Sequence, residues 1–229
     1  MEKTLYIYGC SGVGKSIVDT VARLNANYDE QIFVDDDEHK HSNLFYGYNV
    51  ISRQTLEQRS KPSDDIIVAY FKPVDIFTRG SKLSELKETV KAKFVTIIDP
   101  NATISPSASI GEGVYIAPNA VVDSDAKIGD HSIILFNTVV SREVSLAKST
   151  FLSAGVVVKG SVVVAASSFV SANAVITKNV YAHTFINASL LVNHEVSENC
   201  IVSSKSDTIS VPLTQNIKRA EKKLRFFHP

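Results

Sequence analysis

Residues 110–133 read Ile110-Gly-Glu-Gly-Val-Tyr, Ile116-Ala-Pro-Asn-Ala-Val, Val122-Asp-Ser-Asp-Ala-Lys, Ile128-Gly-Asp-His-Ser-Ile. The phase extends in both directions. Ile104, Ile110, Ile116, Val122, Ile128, Ile134, Val140, Leu146, Leu152, Val158, Val164, Val170 and Ile176 follow one another every sixth residue without a slip. Four residues after each stands a small or β-branched one, from Ala108 and Val114 to Ala174 and Val180. A period of six with one bulky and one small position describes a prism of short strands and corners. Three hexads make one coil, and coils stack at about 4.8 Å. The bulky residue points inward and the small one packs beneath the corner. The expected fold is thus a parallel β-helix over residues 100–188.

Residues 1–99 have another texture. Thr4–Tyr8 is β-prone and is followed by a Gly/Ser turn and an amphipathic stretch, Ser16–Leu24. Gln31–Val34 predicts a second strand, and the apolar run Ile66–Phe71 a strand buried on both faces. Ser81–Lys91 is helical in pattern and Phe94–Ile98 predicts a last strand. Strand and helix alternating at this spacing imply a small Rossmann-like α/β domain with a parallel sheet. Residues 189–229 are expected to be a C-terminal extension. In it, Leu213, Ile217, Ala220, Leu224 and Phe227 share one helical face beside five basic residues. A capping helix over the open end of the solenoid is the favoured reading, because such an end exposes unpaired edges. A short basic amphipathic helix is also compatible with membrane or nucleic-acid contact.

Composition narrows the partners. Lys and Arg number 24 and Asp and Glu 24, giving no net charge. That balance argues against non-specific nucleic-acid or anionic-membrane binding. No run approaches the roughly 18 apolar residues of an integral membrane segment, and the start lacks a signal-peptide pattern. A cytoplasmic location is expected. Cys10 and Cys200 cannot form a disulfide framework, and His39, His41, His131, His183, His194 and His228 show no ligand spacing, so no metal is expected. Glycine, at 10 residues, is scarce for a turn-rich chain.

Two segments of the first domain carry chemistry. Gly9-Cys-Ser-Gly-Val-Gly14-Lys15-Ser16 matches the P-loop pattern after a strand and before a helix. Backbone N–H groups and a helix N-terminus there would face an anion, whether a nucleoside triphosphate or a sugar-nucleotide diphosphate. Asp35, Asp36 and Asp37 close the second strand, where a carboxylate can accept hydrogen bonds from a ribose, a sugar hydroxyl or a base. The plain alternatives are a structural strand-to-helix turn and a solvated acidic turn.

The phased hexads, preceded by Tyr6-Ile-Tyr-Gly9, the Gly-Lys turn and Phe33-Val-Asp35-Asp36-Asp37, resemble the hexapeptide-repeat sugar acyltransferases. The branch is that of sialic-acid O-acetyltransferase-like and nucleotide-sugar N-acetyltransferase proteins of bacterial surface-glycan synthesis. The resemblance covers about residues 3–187. It implies a left-handed β-helix, a homotrimer, acetyl-CoA as donor in a groove between neighbouring helices, and a nucleotide-linked sugar on the first domain. With the P-loop and charge patterns added, substrate contacts are expected at Gly9, Ser11, Gly12, Gly14, Lys15 and Asp35 to Asp37, and coenzyme contacts at Phe151, Gly155, Gly160 and Lys178. At the family's catalytic His this chain has Arg142, followed by Glu143 at the acidic position. Phe151 replaces a coenzyme-contacting His, Val13 the His of the glycine turn, and Asn187-Ala-Ser-Leu190 the Gly-Asn-Pro motif that ends the helix.

Arg142 decides the chemistry, because a guanidinium does not serve as a general base. An amine with a pKa near ~8 is partly neutral at neutral pH and attacks a thioester with less help than a hydroxyl. N-acylation of an amino sugar is therefore the expected reaction, with Glu143 holding the ammonium or replacing the base. Lys148, Lys159 and Lys178 are the only charges between Val144 and Val180 and, read as lying at different corners, would form a weakly positive rim for coenzyme phosphates. The alternatives are a catalytically silent β-helix that binds a sugar nucleotide or a partner protein, with Arg142 salt-bridged to Glu143 or to a neighbouring chain, and a small P-loop nucleotide hydrolase.

Overall fold

A computed structural model describes residues 3–37, 43–70 and 77–203, together with the backbone of 208–210. The N-terminal domain runs β1 (Thr4–Tyr8), α1 (Gly12–Arg23), β2 (Glu30–Val34), β3 (Leu44–Phe45), β4 (Tyr48–Ile51), α2 (Arg53–Arg59), β5 (Asp65–Val68), α3 (Arg79–Thr89) and β6 (Lys93–Phe94). Its sheet has the order β3-β4-β2-β1-β5-β6, parallel throughout except for the β3–β4 hairpin. The sequence did not disclose this hairpin or α2. Both faces of β1 are buried, which explains its unbroken apolar run. Leu5 and Ile7 meet Ile17, Val18 and Val21 of α1, whereas Tyr6 and Tyr8 share a core with Leu56 of α2 and Leu83 and Leu86 of α3.

The expected strand Phe94–Ile98 is divided between two sheets. Phe94 closes the N-terminal sheet beside β5, and Ile97–Ile98 is the first rung of the solenoid, paired with Tyr115–Ile116. From there a left-handed parallel β-helix rises in coils of 18 residues, as in Tyr115↔Ile133, Val121↔Val139 and Lys127↔Ser145. The first face of the prism runs through Ile97, Tyr115, Ile133, Phe151, Phe169, Phe185 and Ile201. The second runs from Thr103 to Leu191 and the third from Ser109 to Val163. Inside lie the phased aliphatics with Val114, Ala120, Ala126, Val144, Val156, Val162, Ala174 and Val180, the arrangement expected from the period.

The helix does not stop at 188. Phe185 pairs with Ile201 and Ile176 with Val192, so parallel coils continue to Val202 and the expected boundary falls within the solenoid. The later coils are two residues shorter. Val164 bridges Val180, which bridges Val196, each 16 residues on. The residues come out of the corner between the second and third faces, where Ile176 to Val180 spans what Val158 to Val164 spanned before. An antiparallel strand, Thr208–Ser210, pairs with Cys200–Val202 at this end. The expected capping helix lies outside the described residues.

Corner conformation explains the scarcity of glycine. The left-handed position recurs every six residues at Gly113, Asn119, Asp125, His131, Asn137, Glu143, Ser149, Gly155, Ser161, Ser167 and Asn173. Asn, Asp and His tolerate this region better than most side chains, and Ser fills it at a modest cost.

The two domains share one core. The α1 side of the sheet packs on the outer side of the first face, so Leu5, Ile17 and Ile67 lie in one cluster with Tyr115, Ile133 and Phe151. Hydrogen bonds fix the angle. Asp99, buried at the start of the first coil, accepts from Arg23 Nε at 2.8 Å, Arg23 Nη2 at 2.6 Å and Thr20 Oγ1 at 2.9 Å. Burial alone would raise the Asp99 pKa, but the Asn101 backbone N–H, Arg23 and Thr20 outweigh it and hold the carboxyl below the usual range. Arg79, fully buried, donates to the Tyr70 and His131 carbonyls.

His131 supplies a testable consequence. Burial first, then the charges of Lys87 and Arg79, push its pKa down to about 4, with Glu112 and Asp130 working weakly the other way. The unfolded chain holds this imidazole near ~6.5. Between those two values the unfolded state therefore binds more protons, and acid favours it. We expect stability to fall as pH drops below about 6.5, by up to roughly 3 kcal/mol at pH near 4 from this residue. His131→Asn, which suits the left-handed corner, should flatten that slope in urea unfolding measured at several pH values. An unchanged slope would contradict the assignment.

Candidate functional site

The first candidate site follows from sheet topology. The order in which strands are added reverses between β1 and β5, and a parallel sheet opens a crevice beyond the carboxyl ends of its strands at such a point. A cavity of about 250 Å³ lies there, lined by Tyr8, Gly9, Cys10, Ser11, Val34, Asp35, Asp36, Asp37, Tyr70 and Lys82. Gly9 has φ +122°, and a Cβ on it would stand 2.7 Å from Tyr70 Cβ, so only glycine lets the two strand ends approach. Of the expected substrate contacts, Gly9, Ser11 and all three aspartates meet at this cavity. Gly12, Gly14 and Lys15 do not line it.

The local fold shows why. Ser11 caps α1, its hydroxyl accepting from Gly14 N–H at 3.1 Å and donating to the Ala69 carbonyl at 2.8 Å. The helix begins at Gly12, so Gly14 and Lys15 lie within its first turn and not in a phosphate-wrapping loop. Gly14 serves close packing, since a Cβ would meet Phe33 Cε1 at 2.7 Å. Lys15 turns towards the hairpin, with Nζ 5.1 Å from the Phe45 ring centre and 5.4 Å from that of Tyr46. The P-loop pattern is thus realised as a capped strand-to-helix turn, and a lysine reaching phosphates is not among its features.

Lys82 of α3 provides the cation at the cavity, its Nζ 5.4 Å from the centre of the Tyr70 ring. Neither residue was singled out by sequence reading, because eleven residues separate them in the chain. Tyr8 donates from its hydroxyl to Asp36 Oδ1, and burial followed by Asp36 raises its pKa well above the usual value. Asp35 Oδ1 accepts from Asp37 N–H at 2.9 Å. Burial, then the Asp35 charge, pushes the Cys10 thiol up to about 12, which makes it a poor nucleophile. The cavity offers an aromatic ring, a cation, a helix N-terminus and carboxylates: the means of holding a base or sugar hydroxyls beside an anion. A second cavity, of about 240 Å³, lies at the opposite ends of the strands, lined by the paired charges Arg59 and Glu30 among others.

The second candidate site is the ridge formed by the corner between the second and third faces. Pairing stacks Val140, Val158, Ile176 and Val192, so the residues after them follow one edge of the prism: Arg142 and Gly160, with Glu143 and Ser161, in the full corners, then Lys178 and His194, with Asn179 and Glu195, in the contracted ones. Glu143 Oε2 accepts from Ser161 Oγ at 2.6 Å. Ser161 N–H donates to the Arg142 carbonyl at 3.0 Å. A Cβ on Gly160 would lie 3.2 Å from that carbonyl. Among the described residues no ion pair joins Arg142 to Glu143. The guanidinium charge instead reaches Asp123, whose pKa is lowered chiefly by Ser124 and further by Arg142. A cavity of about 310 Å³ opens where the corner contracts, lined by Lys159, Gly160, Ser161, Val162, Thr177, Lys178, Asn179 and Glu195.

The other coenzyme expectations separate here. Gly160 and Lys178 share this cavity. Gly155 lies on the corner between the first and second faces, at φ +70°, where a Cβ would meet Asn173 Oδ1 at 2.3 Å. Phe151 is buried on the first face in a stacked ladder, 4.5 Å from Phe169, which is 5.5 Å from Phe185. Lys159 and Lys178 are not at different corners as expected but on the same ridge, whereas Lys148 lies on the corner between the third and first faces. No group of side chains able to hold a metal occurs among the described residues.

Comparison with known proteins agrees with this division. Residues 4–70 match the PglD N-terminal domain, and residues 95–124 and 107–142 match the bacterial transferase hexapeptide repeat. The fold is similar to the acetyltransferase domain of PglB from Neisseria gonorrhoeae FA1090, at 24% identity and TM-score 0.79 over 91% of this chain and 99% of that one. The same domain has been solved in complex with acetyl coenzyme A. A mutant of perosamine N-acetyltransferase from Caulobacter crescentus, in complex with CoA and GDP-perosamine, matches at 21% identity and TM-score 0.78, over 91% of this chain and 97% of that one. WeeI from Acinetobacter baumannii AYE matches at 20% identity and TM-score 0.62 over 80% and 95%. No curated protein matches by sequence. The chain thus joins a PglD-type N-terminal domain to bacterial transferase hexapeptide repeats, on the fold of these solved acetyltransferases.

Proposed function

We propose that this protein is an acetyl-coenzyme A-dependent N-acetyltransferase acting on a nucleotide-linked amino sugar of bacterial surface glycans. The observation that carries the proposal is the pairing of two half-sites: a switch-point cavity suited to a sugar nucleotide and a ridge cavity bearing two lysines. The nucleotide's ribose or base engages Asp35 to Asp37 and the Tyr70 ring, and its diphosphate lies near Lys82 and the start of α1. The coenzyme lies on the ridge with its phosphates near Lys159 and Lys178, and Gly160 lets it approach the backbone. Arg142, which cannot take a proton, and Glu143, tied to Ser161, form the polar floor of that groove. The ligands named for PglB and for the Caulobacter enzyme support this reading, as does the shared architecture.

The two half-sites cannot meet within one chain. The N-terminal domain covers the first face, and the ridge is the edge of the prism opposite it. A second copy must bring its sugar cavity to the ridge. The outer side of the second face is suited to that, because Val121, Val139, Val157, Val175 and Leu191 form an apolar stripe only partly covered within the chain. We therefore infer a homotrimer. No helix among the described residues is long and apolar enough to cross a membrane, and the reaction as proposed belongs to the cytoplasm.

Two outcomes follow. Lys82→Ala should weaken binding of a nucleotide-linked amino sugar about tenfold in titration calorimetry, the usual worth of one charge-assisted contact. Lys15→Ala should leave that binding within about twofold, since its ammonium faces the hairpin. A reversal of these two effects would restore the P-loop reading. Incubation with acetyl-coenzyme A and a panel of nucleotide amino sugars should release free thiol. Absence of turnover together with absence of coenzyme binding would exclude the transferase function.

A further inference from the structure

The proposed transfer needs a group that takes a proton from the attacking nitrogen, and the foot of the ridge does not supply one. Arg142 is cationic, and the Glu143 carboxylate already accepts from Ser161. Three coils higher the sequence around Arg142 recurs with one telling exchange. Val140-Ser-Arg-Glu-Val-Ser becomes Val192-Asn-His-Glu-Val-Ser. Strand pairing carries the column from Val140 to Val192, which puts His194 above Lys178 and Glu195 above Asn179. This coil is the one beyond residue 188 that forms the roof of the ridge cavity, and Glu195 lines it. His194 Nδ1 stands 3.3 Å from Asn193 Oδ1. An amide oxygen only accepts, so the proton of the neutral ring sits on Nδ1 and the lone pair of Nε2 is open.

Resting on the acetyltransferase reading, we propose that His194 is the catalytic base, with Asn193 fixing its tautomer and Glu195 beside it, and that acyl transfer occurs at the upper end of the ridge. At about 4.8 Å per coil, that end is roughly 14 Å from Arg142. The neutral amine of the sugar attacks the thioester carbonyl carbon, a C–N bond forms and the C–S bond breaks, with its electron pair leaving on sulfur. His194 Nε2 takes the proton lost from nitrogen and passes it to the thiolate. The products are the amide and free coenzyme A thiol, with the imidazole neutral again. Lys159 and Lys178, below the imidazole, hold phosphates; contraction of the corner by two residues makes the space.

The experiment uses the full chain, acetyl-coenzyme A and the nucleotide amino sugar that gives the fastest thiol release. His194→Asn should lower kcat about 10²–10⁴-fold and remove the acidic limb of the pH–rate profile. Coenzyme affinity by calorimetry should change less than about threefold, because an imidazole lost as a base removes no phosphate contact. Glu198→Gln, on the neighbouring corner, should change neither. If His194→Asn keeps kcat within about threefold of the parent, the base is elsewhere and the proposal is overturned, while the acetyltransferase reading stands. A parent protein that binds acetyl-coenzyme A without turnover on any acceptor also overturns it. One that does not bind the coenzyme overturns both readings.

Discussion

Everything else in this molecule depends on one buried ladder. Ile104 to Ile176 point into the prism at every sixth residue, and each must stay inward for the core of the solenoid to close. A slip of one residue would turn an aliphatic outward and a polar corner inward, so register is held by burial at every rung. With register fixed, corner residues in coils of equal length stack on their counterparts in the next coil. Residues far apart in sequence become a column, and the ridge from Arg142 to His194 is one of them. The same constraint makes the two-residue contraction after Ile176 consequential, because a shorter corner in a fixed stack can only step back and leave a cavity.

The second constraint is the contact between the domains. Asp99 is buried, and its charge is sustained by Arg23, Thr20 and the Asn101 amide. Loss of Arg23 would leave an uncompensated carboxylate in the interface, a costly state. Around this point the aromatic ladder of Phe151, Phe169 and Phe185 continues the shared core along the first face. The outcome is a rigid division of labour. One face of the prism is covered by the N-terminal domain, one presents an apolar stripe, and the opposite edge carries Lys159 and Lys178.

Much of this was legible in the sequence because periodic burial leaves a periodic trace. The hexads revealed the solenoid, and the unbroken run at Ile66 revealed the buried central strand. Gly9 and Asp35 to Asp37 could be placed at strand ends from the pattern, and they line one cavity. What stayed hidden was long-range. Lys82 reaches the switch-point cavity from a helix whose own pattern says nothing of Tyr70, and Lys15 matches a phosphate-binding motif yet lies in a helix turn facing Phe45. Phe151, aligned with a coenzyme contact, is claimed by ring stacking on the first face. The likeness of the segments around Arg142 and His194 stayed hidden because the period breaks between them, and stacking of the contracted coils is what aligns them. The scarcity of glycine reflects corners filled by Asn, Asp, Ser and His in the left-handed region.

The central claim is that the sugar cavity of one copy works with the ridge of another. Subunit complementation tests it most directly. One variant carries Lys82→Glu and loses the sugar nucleotide; the other carries Lys178→Glu and loses the coenzyme. Each alone should release little thiol from acetyl-coenzyme A, and mixed assemblies formed by co-expression should recover a substantial fraction of the parent rate, because some interfaces then pair an intact cavity with an intact ridge. Mixed assemblies no more active than the two variants apart would contradict the account.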